Sequence, residues 1–338
     1  MSESLHDQRP DVALVGTSNG VYHGGYASAL AACTRFASFS NFSVGMSTSE
    51  LFVFRRHGER FRYDVCVLEF ACNDAAALRF GETSLDRVRQ VLSEAIEFLE
   101  ERRCQPILFL MPFRGAPQIL ADLRTLYASL AFDYGIPCFD GQSVVEQLAL
   151  TQGCSEDSLY HDDPHLRGDV AFHLGELLSA FIVENLKHRN MTPRRKCTKK
   201  NFFIGADEFQ NASSPVTLRR TDLLSCKILL VSEGESIIVS TDGFSKIIAL
   251  AVDFSVCAGV LHIEGDDRIS IRFAPHGDIE NARMLARVFP LRQPIGSQTG
   301  HFILRACSDG PAEMMFSRQP FSATAGAIAL IGAIMQAA

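Results

Sequence analysis

The sequence predicts an α/β domain followed by an all-β domain, and three observations support this. In the first half, strand-like apolar runs alternate with helical patterns, as in a parallel sheet covered by helices on both faces. Residues 63–70 form an apolar run, which is typical of a strand buried on both faces. In the second half, short strands separated by turn signals favour a β-sandwich or jelly roll. We expect an α/β domain over 1–188, a linker over 189–200 and a β-sandwich accessory domain over 201–338.

The elements of the first half follow from the spacing of apolar residues. The clearest helix begins near Ser84, because Val88, Leu92, Ile96 and Leu99 recur at helical spacing behind a capping sequence. The full prediction is strands over 11–15, 38–44, 63–70, 106–111 and 136–139, with helices over 21–36, from 84, and over 119–134, 144–150 and 166–186. This alternation predicts a three-layer parallel sheet.

The second half is predicted from short apolar runs and the turns between them. Glu233-Gly234 and Asp242-Gly243 are two of the turn signals. The predicted strands cover 202–204, 216–219, 228–231, 237–240, 246–254, 259–263, 269–273, 286–291 and 302–306. Residues 325–338 are apolar but too short to span a bilayer, so we expect a buried strand or helix there, with a membrane-surface tail as the alternative. The linker is predicted from its basic charge and Pro193.

Composition limits the classes of protein that this chain can represent. The 338 residues are 47% hydrophobic and 21% charged, which is typical of a globular protein, and the net charge of −7 argues against a nucleic-acid partner. The first ten residues have no apolar core of signal-peptide length, and no apolar run reaches the length of a bilayer. The 10 cysteines show no CxxC pairs, which favours reduced thiols in a cytoplasmic protein and argues against zinc.

Five residues at the ends of strands or in loops form a pattern that acyl transfer requires. Ser18 follows the first predicted strand, Gly45 the second and Asn73 the third, and Asp162 and His165 precede the last helix. Reactive groups of an open α/β sheet gather at the carboxyl ends of its strands. A serine, amide donors and an Asp–His pair provide a nucleophile, an oxyanion hole and a base with the residue that orients it.

Each of these residues also has a purely structural interpretation. Serine is a common helix cap, so Ser18 could simply begin a helix, and Gly45 suits a tight turn. Asn73 and Asp74 are residue types that commonly form turns. Asp162 and His165 suit the cap of the following helix. A second alternative is a metal site made by His161, Asp162, Asp163 and His165. Because all the residues occur together in this order, we favour catalysis with no metal and no cofactor.

The same residues resemble the SGNH hydrolases, a branch of the GDSL esterases. The resemblance covers residues 10–188 in four blocks: Gly16-Thr17-Ser18-Asn19, Asn41-x-x-x-Gly45, Ala71-Cys72-Asn73-Asp74 and Asp162-x-x-His165. It departs from the family at Thr17, where Asp is usual, and at Ala71, where Gly is usual. It implies the flavodoxin-like SGNH hydrolase fold.

The resemblance also implies a role for each matching residue. Ser18 would be the nucleophile and His165 the base, oriented by Asp162. The N–H groups of Ser18 and Gly45, with the Asn73 side chain, would form the oxyanion hole. His23 and Arg114 are our substrate-contact predictions, and Tyr22 and Tyr26 are further residues near the nucleophile.

The resemblance and the appended β domain together predict an esterase that removes a short acyl group, such as acetyl, from a carbohydrate. One alternative is a cytoplasmic polysaccharide O-acyltransferase with the same chemistry and a different acceptor. Another is a non-catalytic protein whose β domain binds a glycan or takes part in assembly. The β domain is also a possible site of homo-oligomer formation.

Overall fold

The computed structural model describes residues 9–58, 61–186, 200–273, 284–308, 310, 312–314 and 327–337. The chain divides into two units, Met1–Thr198 and Lys199–Ala338. The predicted linker, 189–200, lies outside the described residues apart from Lys200, and so does the start of the predicted C-terminal segment.

A five-stranded parallel sheet forms the centre of the first unit. Its strands are β1 (Asp11–Val15), β2 (Ser38–Asn41), β3 (Val65–Leu68), β4 (Gln105–Leu110) and β5 (Cys138–Asp140). Their order across the sheet is β2-β1-β3-β4-β5, which is the flavodoxin-like order. β3 and β4 are buried along their whole length, as a central strand covered on both faces must be. The predicted fold class of the first half is therefore confirmed.

Eight α-helices lie between or after these strands in the described part of the first unit. They are α1 (Ser18–Val21), α2 (Tyr26–Ala32), α3 (Leu51–Gly58), α4 (Ala71–Arg79), α5 (Leu85–Glu101), α6 (Pro117–Tyr134), α7 (Gly141–Gln152) and α8 (Gly168–Leu186). The chain moves one way across the sheet from β1 to β2 and the other way from β2 to β5. Right-handed crossovers therefore place α2 on one face and α3 to α6 on the other. Accordingly α2 contacts α8, while α4 and α5 contact α6.

The structure corrects two local expectations. Of the predicted helix over 21–36, the structure has only α2, because α1 ends at Val21 and the chain then turns at Gly24, whose φ of 78° is left-handed. The segment after β3, for which a turn was the structural alternative, instead opens α4, which buries Ala71 and Ala75 and carries Asp74 in its first turn.

The second unit consists of two mainly antiparallel sheets. One has the strands β13 (Ala286–Ser297), β10 (Ser245–Asp253), β16 (Ile328–Ala337), β8 (Ser225–Val231) and β7 (Val216–Arg220) in that order, with β6 (Asn201–Gly205) also paired to β16. The other has β15 (Glu313–Met314), β12 (Arg268–Phe273), β11 (Gly259–Glu264), β14 (His301–Cys307) and β9 (Ser236–Ser240).

Aromatic side chains join the two sheets in the core of this unit. Phe273 on β12 and Phe289 on β13 have ring centroids 5.9 Å apart, and Phe254 lies within 6.0 Å of both. Phe273 and Phe289 are completely buried. The predicted all-β sandwich after the α/β domain is therefore confirmed.

The C-terminal apolar segment is a strand in the interior of its sheet. β16 pairs with β10, β8 and β6 and is buried over most of its length. This decides between the strand and helix that the sequence left open for 325–338, as far as the described residues extend. None of the helices in the described ranges is both long and apolar enough to cross a membrane.

Candidate active site

Ser18, His165 and Asp162 form a continuous chain of hydrogen bonds. The Oγ atom of Ser18 lies 3.1 Å from Nε2 of His165, and Nδ1 of His165 lies 2.7 Å from Oδ1 of Asp162. With the ring hydrogen on Nδ1, the imidazole donates to the carboxylate and its Nε2 accepts from the serine hydroxyl. The structure thus brings Ser18 to His165 and Asp162, although Ser18 and His165 are 147 positions apart in the sequence.

A tight loop holds the histidine and the aspartate in place. Tyr160 and Leu166 form an isolated antiparallel bridge that closes it. Within the loop, the His165 N–H donates to Oδ1 of Asp162, and the His161 N–H donates to the His165 carbonyl. The His165 side chain is 22% exposed and that of Asp162 is 50% exposed, so the site opens to solvent.

Tyr22 lies against the imidazole. Its ring stacks on that of His165 with centroids 5.9 Å apart and an interplanar angle of 25°. Because Tyr22 is also 45% exposed, it presents an aromatic surface beside the histidine. The sequence placed Tyr22 near the nucleophile but gave no sign of this stacking.

The backbones of Ser18 and Gly45 approach each other at the carboxyl edge of the sheet. A Cβ atom built on Gly45 would lie 3.9 Å from Cβ of Ser18. Among the described residues, no hydrogen-bond acceptor is found for the N–H of Ser18 or of Gly45. Ser18 is the first residue of α1, where an N–H has no acceptor within the helix. Two N–H donors are thus available beside the serine hydroxyl.

Asn73 and Asp74, in the first turn of α4, hold the loop that carries Gly45. Nδ2 of Asn73 donates to the Ser47 carbonyl at 2.9 Å, and Oδ1 of Asp74 accepts from the Ser49 N–H at 2.9 Å. An amide nitrogen has two hydrogens, so one remains for the predicted oxyanion contact of Asn73. Burial raises the pKa of the Asp74 carboxyl well above its ordinary value, and the nearby charge of Glu50 adds to the rise.

Glu69, directly after β3, is a buried acid beneath the nucleophile that sequence reasoning missed. Its carboxyl group accepts hydrogen bonds from the backbone and side chain of Thr17 and from the Tyr26 hydroxyl. Burial raises its pKa to about 7, and these hydrogen bonds oppose part of the rise. A charged residue inside the otherwise apolar run 65–70 was the signal that could have identified it.

Asn41 is a second residue whose role only the structure shows. Its Nδ2 donates to the Gly20 carbonyl at 2.7 Å, and its Oδ1 accepts from the Ser43 N–H at 3.0 Å. The side chain therefore ties the end of β2 to α1, which begins with Ser18. Asn41 belongs to the second block of the resemblance, but no role was predicted for it.

The two residues predicted to contact substrate differ in their surroundings. The Arg114 guanidinium pairs with Asp163 at 3.1 Å and with Asp157 at 3.3 Å, and it lies 5.5 Å from the centre of the Tyr160 ring. It is thus bound to the loop that carries Asp162 and His165. His23 is exposed next to Tyr22. Tyr26, which the sequence also placed near the nucleophile, is buried against Glu69.

The acidic residues around His165 are engaged as described above, Asp162 by the imidazole and Asp163 by Arg114. Within the described ranges, no group of three or more His, Cys, Asp or Glu side chains is arranged to hold a metal ion.

Comparison with known proteins shows the fold of this chain. No protein-family model matches the sequence, and no curated protein sequence matches it. The chain is similar in structure to a two-domain esterase, CEX, described as active on acetylated mannans. The sequences are 14% identical, the match covers 96% of this chain and 90% of the other, and the TM-score is 0.65. The same esterase co-crystallised with mannopentaose gives 13% identity, 96% and 89% coverage and a TM-score of 0.65.

Proposed function

We propose that this protein is a serine esterase of the SGNH hydrolase type that removes a short acyl group, such as acetyl, from a carbohydrate. The observation that carries the proposal is the unbroken chain from the Ser18 hydroxyl through His165 to the Asp162 carboxylate. These are the nucleophile, the base and the orienting acid that ester cleavage through a covalent intermediate requires.

The proton moves between Ser18, His165 and the departing alcohol. As the Ser18 Oγ attacks the ester carbonyl, Nε2 of His165 accepts the hydroxyl proton and later returns it to the departing alcohol. The Asp162 carboxylate accepts a hydrogen bond from the Nδ1–H group, which holds the ring in the required tautomer and stabilises the imidazolium that forms. The acyl group is then bonded to Ser18. Water, activated by the same imidazole, attacks it and releases the acid.

We assign stabilisation of the negative charge on the tetrahedral intermediate to three hydrogen-bond donors. Two are the N–H groups of Ser18 and Gly45, and the third is the remaining amide hydrogen of Asn73. Donors held in place before the reaction stabilise the transition state most, because they need no rearrangement when the charge appears. Asn73 also holds Ser47, two residues from Gly45, and so limits the motion of one of the other donors.

Two observations support a carbohydrate as the alcohol part of the substrate. The fold likeness extends over both units to an esterase described as active on acetylated mannans. In this chain, the half-exposed Tyr22 beside His165 offers an apolar ring face of the kind that packs against a sugar ring.

The decisive experiment measures hydrolysis of p-nitrophenyl acetate by the wild type and by Ser18→Ala. We expect the substitution to lower kcat at least 10³-fold, since it removes the nucleophile. Ser38→Ala is the matched control, because Ser38 lies at the amino end of β2, opposite the site, and should leave kcat unchanged. Equal rates for wild type and Ser18→Ala would refute the serine mechanism.

A second assay tests the acyl group and the acceptor. We expect acetate release from acetylated mannan, with little acetyl transfer to an added free sugar. Predominant transfer to the sugar would identify an acyltransferase instead. Failure of a fluorophosphonate probe to label Ser18 would favour the non-catalytic alternative.

A further inference from the structure

We propose that Glu69 is a positioning residue whose buried carboxyl group orients the Thr17–Ser18 peptide, so that the Ser18 N–H faces the developing oxyanion. The inference rests on the proposed function, because it concerns the same serine. It assigns a role to a side chain that lies below the nucleophile and does not itself reach the substrate.

The carboxyl group of Glu69 binds Thr17 through two different groups. Oε2 accepts from the Thr17 N–H at 2.9 Å, and the Thr17 hydroxyl lies 3.0 and 3.1 Å from the two carboxyl oxygens. Thr17 and Glu69 are completely buried, so water does not compete for these bonds. Both the backbone and the side chain of the residue before the nucleophile are therefore held.

The next peptide is fixed from its other side. The Thr17 carbonyl accepts from the Gly20 N–H at 3.1 Å, and the Gly20 carbonyl is in turn held by Asn41. In a trans peptide the C=O and the following N–H point in opposite directions. The direction of the Thr17 carbonyl therefore sets the direction of the Ser18 N–H.

The helix that begins at Ser18 is too short to fix this geometry by itself. α1 has four residues, and the Thr17 side chain makes no capping hydrogen bond to it. A single helical turn is not stable in isolation, because forming it fixes the backbone dihedral angles of several residues in exchange for only one hydrogen bond. The hydrogen bonds to Glu69 take the place of the missing cap.

The chain makes room for this carboxyl group at Gly16. A Cβ atom there would lie 2.8 Å from Oε2 of Glu69 and 3.1 Å from Oγ of Ser43. On its other side Glu69 accepts from the Tyr26 hydroxyl at 3.1 Å, which links the nucleophile turn to α2. The other titratable groups that influence or are influenced by Glu69 are Cys72, Asp74 and Tyr127, all buried.

Two variants separate hydrogen bonding from burial and charge. Glu69→Leu replaces the carboxyl group with an apolar side chain of similar size and so removes both hydrogen-bond acceptors. In Glu69→Gln the amide oxygen can occupy the Oε2 position and accept from Thr17 and Tyr26, while the amide nitrogen donates to the Thr17 hydroxyl. Only the leucine variant therefore releases the Thr17–Ser18 peptide.

We expect Glu69→Leu to lower kcat for p-nitrophenyl acetate about 10- to 100-fold, somewhat less than complete loss of an oxyanion donor. KM should change less than about threefold, because the contact with the oxyanion strengthens in the transition state. Labelling of Ser18 by a fluorophosphonate, whose phosphoryl oxygen occupies the same hole, should slow in parallel. Glu69→Gln should restore kcat to within about threefold of the wild type.

Glu100→Leu is the matched control. Glu100 is also a buried acid, but it lies at the end of α5, on the amino side of the sheet, and should leave kcat unchanged. Unfolding curves of all variants identify any that fail to fold, and kcat is compared only for folded protein. If Glu69→Leu does not fold, the smaller change Thr17→Val, which removes only the hydroxyl bonds, is measured instead and should lower kcat several-fold.

The inference is overturned if the folded leucine variant has the kcat of the wild type, or if KM alone changes. It is also overturned if the glutamine variant is as slow as the leucine variant. These results differ from failure of the proposed function, in which Ser18→Ala would retain full activity whatever residue occupies position 69.

Discussion

The contacts between Asp162 and His165 are made within a short stretch of sequence. Its Oδ1 atom accepts from both the backbone N–H and the imidazole Nδ1 of the residue three positions later. Three residues are enough for this because the loop turns back on itself between Tyr160 and Leu166. The pair is therefore local, whereas its approach to Ser18 depends on the whole sheet.

Asp162→Asn should lower kcat for p-nitrophenyl acetate by about 10²-fold or more. An amide nitrogen facing Nδ1 would favour the wrong imidazole tautomer. The half-exposed position of Asp162 lets water replace part of its effect, so the loss should be smaller than for Ser18→Ala. The neighbouring acid offers a control, since Asp163→Asn weakens the pairing with Arg114 but leaves the imidazole untouched. Equal losses for both variants would contradict the assigned role of Asp162.

The pKa of Glu69 predicts a pH dependence of stability. It rises from an ordinary 4.5 to about 7 in the folded protein, so between these values the unfolded chain releases the proton first. The free energy of unfolding should therefore fall as pH rises from about 4.5 to 7, and level off above. At about 1.4 kcal/mol per pKa unit, the loss is about 3 kcal/mol.

Urea unfolding of wild type and Glu69→Gln from pH 4 to 8 measures this effect. The difference between the two curves isolates Glu69, because the pKa of Asp74 is also raised by burial and acts in the same direction. We expect the glutamine variant to gain stability relative to the wild type as pH rises. A constant difference across this range would contradict the shift.

At the scale of elements, the close packing of α2 against α8 supports the site. α2 carries Tyr26, which binds Glu69, and α8 follows the loop that carries His165. Gly175 lets the two helices approach, since a Cβ there would lie 2.4 Å from the Tyr26 carbonyl and 2.7 Å from Cβ of Ala29. Backbone atoms cannot move aside as a flexible side chain can.

Gly175→Ala should lower the free energy of unfolding by about 1–3 kcal/mol, because the added methyl group forces the helices apart. Urea denaturation of the folded protein measures the change. Gly58→Ala is the control: among the described residues, no atom beyond its chain neighbours and its own helix backbone lies within 4 Å of the new methyl group, so its effect should be close to zero or slightly stabilising. If Gly175→Ala changes the free energy of unfolding as little as Gly58→Ala does, the two helices have space between them and the prediction is wrong.

At the scale of the whole molecule, every residue of the proposed site belongs to the first unit, Met1–Thr198. The second unit has its own core, in which Phe254, Phe273 and Phe289 pack together. The last strand of the second unit, β16, pairs with β6, the first strand of the same unit. The first and last strands of this unit therefore belong to one sheet. We therefore propose that the two are separate domains, with the catalytic machinery in the first.

A fragment of residues 1–198 should fold and hydrolyse p-nitrophenyl acetate with a kcat within about threefold of that of the full chain. The physical reason is that the parallel sheet and its helices bury their own apolar surface. Circular dichroism and the esterase assay check both parts of the prediction. An unfolded fragment would show that the first unit depends on the second for stability, and the proposed domain division would then be wrong.

The sequence by itself determined the fold class and predicted the residues of the site. Alternation of strand and helix patterns predicted the parallel sheet, because buried strands and amphipathic helices need different spacings of apolar residues. The positions of Ser18, Gly45, Asn73, Asp162 and His165 after strands or before a helix predicted a common edge. These inferences depend on local order along the chain, which a sequence displays directly.

Only the tertiary structure decided the distances and the supporting contacts. The sequence predicts Glu69 only as part of a buried strand. In the structure its carboxyl group accepts a hydrogen bond from Thr17, 52 positions away. Arg114, predicted to contact substrate, pairs with Asp163 in the loop that carries His165 and with Asp157 just before that loop. Such contacts join residues far apart in the chain, and the spacing of residue types cannot encode them, because they arise only when the sheet brings separate strands side by side.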